Sequence, residues 1–92
     1  MAWDTRINPV VHTLSQVIND QVIIRNIAVM SGLSMEYVGN APDAASYWTT
    51  VLDRAQDEGD RRVDSVLNEA LRRTQSPMVR DTVEAYWKAR GR

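Results

Sequence analysis

Apolar residues recur along this chain at helical spacing, and no stretch alternates apolar with polar as a half-buried strand would. The pattern predicts six helices. The first starts near Pro9, since proline suits a first helical turn, and sets Val10, Leu14, Val17 and Ile18 on one face. Asn19 and Asp20 interrupt it, and the Asp20 carboxylate can cap a second helix. Ile23, Ile27 and Met30 form that helix's inward stripe, widened by Ile24 and Ala28. Gly32 ends it, because glycine enters the left-handed region cheaply. A short third helix runs from Ser34 to about Gly39, and Gly39-Asn40-Ala41-Pro42 forms a loop.

The fourth helix follows a cap at Asp43, with Ala44, Trp48, Val51, Leu52 and Ala55 on its buried face, and runs out at Gly59. The fifth starts at once, with Asp60 as its expected cap and Val63, Val66, Leu67, Ala70 and Leu71 as its stripe. Ser76 caps the sixth, Pro77 takes its first position, and Val79, Val83, Tyr86 and Trp87 face inward. The tail Lys88 to Arg92 is expected to fray. Short linkers make neighbouring helices fold back on one another, so the expected fold is all-α, a compact six-helix bundle. Residues 1–92 suffice for one domain. Trp48 and Leu67 are the core residues whose loss should hurt most.

The corner Ile24-Arg25-Asn26-Ile27-Ala28-Val29-Met30-Ser31-Gly32-Leu33-Ser34-Met35-Glu36-Tyr37-Val38 has the outline of a helix-turn-helix, so a small nucleic-acid-binding regulator is the alternative reading. Charge argues against it. The formal net charge is -1, and the would-be reading helix from Ser34 has no lysine or arginine but carries Glu36. A packing corner is the reading the residues favour, and nucleic acid is not an expected partner.

Candidate chemistry is sparse. Without cysteine there is no disulfide framework, thiolate zinc site or thiol nucleophile. His12 is the single histidine, no serine stands in a nucleophile motif, and there is no glycine-rich phosphate loop. Asp57, Glu58, Asp60 and Asp64 could be imagined around a cation. Their spacing matches no calcium loop, however, and Arg61 and Arg62 sit among them. No enzyme activity, cofactor or metal is therefore expected. The chain has no secretory leader or membrane-length apolar run, so the expected compartment is the cytoplasm, with no membrane partner. Trp3 lies outside the firm helices and either packs on the bundle or stays free as an anchor.

The charges are more informative. Asp57, Glu58 and Asp60 make an acidic corner, while the fifth helix begins with Arg61 and Arg62 and ends with Arg72 and Arg73. The last two also suit the helix dipole, and a mixed solvated face is the plain alternative for all seven. Opposite patches on a small domain allow copies or relatives to dock by charge complementarity. These seven residues are the candidate partner-binding set. Reversing Arg61 and Arg62 to glutamate is expected to leave the fold intact and abolish binding.

The segment Ile27-Ala28 with Met30-Ser31-Gly32-Leu33 is similar to the effector-associated domains of bacterial conflict systems. So is Ala45-Ser46-Tyr47-Trp48-Thr49-Thr50-Val51-Leu52-Asp53-Arg54-Ala55-Gln56-Asp57-Glu58-Gly59, followed by Val63, Val66, Leu67, Ala70 and the Ser76-Pro77 break. The resemblance covers Ile24 to Trp87 and rests mainly on packing residues, while Met1 to Ile18 departs from it. It implies a death-like fold and a non-catalytic adaptor. Such a module recruits caspase-like or trypsin-like proteases, or other effectors, through contacts between like domains. The implied partner is another death-like domain fused to an effector, with homo-oligomers as a further expectation.

Overall fold

Gly59 shows how tightly the elements follow one another. Its N–H donates to the carbonyls of Ala55 and Gln56, ending one helix, while its own carbonyl accepts from the N–H groups of Arg62 and Val63, starting the next. The computed structural model describes residues 3–33 and 41–91. A 3-10 turn over Thr5–Ile7 leads into α1 (Asn8–Val17), α2 (Gln21–Met30), α3 (Ala44–Glu58), α4 (Asp60–Arg73) and α5 (Pro77–Ala89). Among the described residues every regular element is helical, and five α-helices stand where six were expected. The third expected helix, over 34–39, lies outside the described residues. The Cα radius of gyration is 11.8 Å, close to the about 12 Å of a compact chain this long.

The caps explain most boundaries. Asp20 Oδ1 accepts the Val22 N–H at 2.9 Å, and Asp43 Oδ1 accepts that of Ser46 at 2.7 Å. Ser76 Oγ takes the Val79 N–H at 3.5 Å, with Pro77 in the first turn of α5. Asp60 is not a cap. Gly59 occupies that position at φ 115, ψ 170, a conformation open essentially to glycine alone. The two helices abut so closely that Asp60 is already the first helical residue. At the other end of the sequence, α1 begins at Asn8, one residue before Pro9. The 3-10 turn ahead of it is held by Asp4, whose side chain accepts the Arg6 N–H.

α3 is the central element, packed on α1, α2 and α4, and α5 closes the bundle against α1, the 3-10 turn and α4. Trp48 and Leu67 are fully buried. The indole N–H of Trp48 also donates to the Ile18 carbonyl at 3.0 Å, satisfying the backbone where α1 ends. Ala44, Leu71 and Trp87 pack against the core as partly buried residues.

Three positions expected to face inward do not. Val17, Ile23 and Met30 are 37%, 39% and 66% exposed. α2 is apolar nearly all round, and tertiary contact with α3 and α4 selects Ile24, Ile27 and Ala28 as its buried stripe. Ile7 and Tyr47, which the periodicity did not single out, are both buried. Trp3 packs on the core, its indole N–H donating to Asn8 Oδ1 at 2.6 Å.

Candidate functional site

The seven charged candidates fall into two groups at opposite ends of α4. Asp57 and Glu58 close α3, and Asp60, Arg61 and Arg62 open α4. Arg72 and Arg73 lie at the far end of α4, about 17 Å away by helical rise. They form two separate patches.

The far patch has a structural explanation. Arg73 Nε meets Glu69 at 3.1 Å and Arg72 Nη1 meets it at 3.7 Å, within one helix. Both arginines also sit where the helix dipole favours positive charge. Pairs at this spacing on one helix contribute a few tenths of a kcal/mol.

The near corner is arranged differently. A helix C-terminus disfavours acidic side chains and a helix N-terminus disfavours basic ones. Here Asp57 and Glu58 lie in the last turn of α3, and Arg61 and Arg62 in the first turn of α4. Helix energetics alone would place the signs the other way round. Part of the conflict is settled locally, since Arg62 Nε donates to Glu58 Oε1 at 2.9 Å. Asp60 points to another neighbour, pairing with Arg90 Nε at 3.8 Å while its side chain stays 76% exposed. Asp57 and Arg61 remain. Both are exposed, and neither side chain has a hydrogen bond or ion pair among the described residues. Ser65, one turn beyond Arg61, joins Glu58, Arg61 and Arg62 in lining a shallow depression. It was missed because serine carries no charge signal, although its spacing from Arg61 puts it on that face.

Arg62 also has a structural task. Its Nη1 donates to the Ser31 carbonyl at the end of α2, and its guanidinium lies over Gly32, whose φ is 89. A Cβ on Gly32 would collide with the guanidinium. The corner with the helix-turn-helix outline is thus filled from α4, while the would-be reading segment from Ser34 lies outside the described residues. Reversal of Arg62 would remove its bonds to Glu58 and to the Ser31 carbonyl, so the double reversal is not a pure test of the surface. Arg61 is the clean surface substitution.

The C-terminal tail departs from expectation as well. Arg90 does not fray. Its side chain is only 9% exposed, with Nη2 donating to both Asp64 carboxylate oxygens at 2.7 and 2.8 Å and Nη1 to the Tyr86 hydroxyl at 3.2 Å. Trp87 Nε1 donates to the same Asp64 at 2.9 Å. Burial works against the Arg90 charge, but the bonds to Asp64 and Tyr86 outweigh it and hold the pKa above the ordinary arginine value. Burial likewise leads in pushing the Tyr86 phenol up. Arg6 ties the N-terminal turn to the same region by donating to the Ala89 carbonyl at 3.2 Å. Asp64 is therefore a structural anchor, not a cation ligand. Among the described residues no group of three or more histidine, aspartate or glutamate side chains is placed to hold a metal ion. No described helix is long and apolar enough to cross a membrane.

His12, exposed on α1, has its ring Nε2 3.2 Å from Gln16 Nε2. No protein-family model, no curated protein and no solved structure matches this chain.

Proposed function

We propose that this protein is a non-catalytic interaction module. Its α3–α4 corner docks on an oppositely patterned surface of another helical domain fused to an effector. The observation that carries this reading is the pair Asp57 and Arg61, exposed, unpartnered among the described residues, and each set against its helix dipole. Each such placement costs about 0.3–1 kcal/mol in an isolated helix. A partner carrying the opposite signs would recover that loss and gain orientation from the complementarity. The acidic and basic groups lie side by side, so a similar corner, turned round, is itself a matching surface. Contacts between like domains follow naturally from that arrangement.

The resemblance to effector-associated domains supplies the setting, a death-like adaptor in a bacterial conflict or immune signalling system that recruits caspase-like or trypsin-like proteases. The test is capture from cells of the source organism, with the tagged chain as bait. The wild type is expected to retain an effector bearing a helical domain of this kind, and Arg61→Glu or Asp57→Lys to lose it while melting like the wild type. Capture undiminished in both variants would remove the corner from the account.

A further inference from the structure

Asp57 and Arg61 each follow a residue that is held from elsewhere in the fold. Gln56 Oε1 accepts the Asp4 N–H at 3.2 Å, and Asp60 pairs with Arg90. The two holds are joined. Asp4 binds the Arg6 guanidinium through both carboxylate oxygens, Arg6 donates to the Ala89 carbonyl, and Arg90 comes next in the chain. A continuous run of polar contacts therefore spans the α3–α4 break by way of the N-terminal turn and the end of α5, without passing through Gly59.

The opening turn of α4 has little of its own to hold it. Gly59 stands at the N-cap, no side chain caps the turn, and Arg61 and Arg62 oppose the helix dipole. The N–H groups of Arg62 and Val63 share one acceptor, the Gly59 carbonyl, at 3.1 and 3.3 Å. Val63 is buried, but it is only the fourth residue of the helix. Arg90 supplies a fastening from outside. Its side chain is almost fully buried, and its guanidinium carbon lies 5.2 Å from the centroid of the Tyr86 ring. Asp60 and Asp64 are one turn apart on the same helix face, so one planar fork reaches both. The outer pair, at 3.8 Å to an exposed Asp60, contributes little alone. The two bonds to Asp64 do more, because in an α-helix the Asp64 N–H holds the Asp60 carbonyl. We propose that Arg90 is a positioning residue, a latch that keeps the opening turn of α4 folded and thereby fixes where Arg61 stands beside Asp57. Its bearing on docking rests on the function proposed above; the latch itself does not.

Amide hydrogen exchange on the full chain, followed by NMR with no partner present, tests the latch. Local opening of a helix end speeds only the amides of that turn, whereas a loss of overall stability speeds the slowest core amides together. Arg90→Gln is expected to speed exchange at Gly59, Arg62 and Val63 about tenfold or more. The Arg80 amide, bonded to the Ser76 carbonyl in the opening turn of α5, is the control and should keep its wild-type rate. Arg90→Lys keeps the charge and loses the fork, so it should speed the same amides by less than Arg90→Gln. It carries the test if the glutamine variant fails to fold. Rates at Gly59, Arg62 and Val63 that stay at the wild-type value, or rise by no more than that of Arg80, overturn the proposal. Because no partner takes part, failure of the docking reading leaves this result standing, and the converse holds as well.

Discussion

Arg62 illustrates how little a residue's identity says about its task. In the sequence it is one of two adjacent arginines at the head of a helix. In the fold it spans two elements, bonding Glu58 across the α3–α4 break and the Ser31 carbonyl at the end of α2. Gly32 gives it room. Gly32→Ala should therefore destabilise by about 2–3 kcal/mol, part from the positive φ and part from displacing the guanidinium. In an Arg62→Ala background the same change should cost only the backbone share, about 1–2 kcal/mol. Urea unfolding of the four proteins measures the difference. The helix stop at Gly32 was legible in the sequence; the occupant of the space beside it was not, because Arg62 lies 30 positions away. Asp43 was legible too, both as a cap and as a charge. Its carboxylate accepts the Ser46 amide N–H first and the Ser46 hydroxyl second, which holds its pKa below the ordinary carboxylate value. Asp4 is lowered as well, chiefly by its bond to the Arg6 side chain. A folded-state pKa below the unfolded one means that the unfolded chain binds more protons in the interval between them. Stability thus rises with pH through that window and is lost as pH falls from the ordinary aspartate value of 3.8 through the folded pKa. Asn also caps well, so Asp43→Asn should change neutral stability little and flatten the acid limb. Urea midpoints at pH 6 and pH 3 that fall equally in both proteins would refute this.

At the scale of elements, periodicity worked where one stripe was apolar and failed where two were. α4 has an unambiguous face, and Val63, Val66, Leu67 and Ala70 are all fully buried as expected. α3 is similar, with Trp48 at its centre. α2 offers apolar residues in nearly every direction, and only its packing on α3 and α4 chooses among them. That excess is why Ile23 and Met30, expected inside, stand 39% and 66% exposed. α5 ends later in function than its periodicity suggested, because Arg90 is fixed by Asp64 and Tyr86, partners 26 and 4 positions away. Core truncation gives the energetic check on this layer. Trp48→Ala should cost roughly 3–5 kcal/mol, since it empties the largest buried site and strips the Ile18 carbonyl of its donor, and Leu67→Ala roughly 2–5 kcal/mol. Met78→Ala, at a 57% exposed position, should fall within about 0.5 kcal/mol of the wild type. Thermal melts in which either core truncation costs no more than Met78→Ala would contradict the placement of α3 and α4.

For the whole molecule, an all-helical bundle with its core on α3 and α4 was readable from spacing and caps alone. The candidate site was half readable. Its charges are plain in the sequence, but a one-dimensional reading joins Arg61 and Arg62 to Arg72 and Arg73, which the length of α4 keeps apart. Pairing could not be read either, and it is pairing that distinguishes Asp57 and Arg61 from Glu58, Asp60 and Arg62. The proposed docking at the charged α3–α4 corner is expected to weaken with salt. The capture experiment at low and high salt, with wild type and Arg61→Glu as baits, is the most direct test of the central claim. An effector-bearing helical domain is expected to be retained by the wild type at low salt, released at high salt, and absent with Arg61→Glu. Retention by both baits, indifferent to salt, would show that the α3–α4 corner is not where this protein meets its partner.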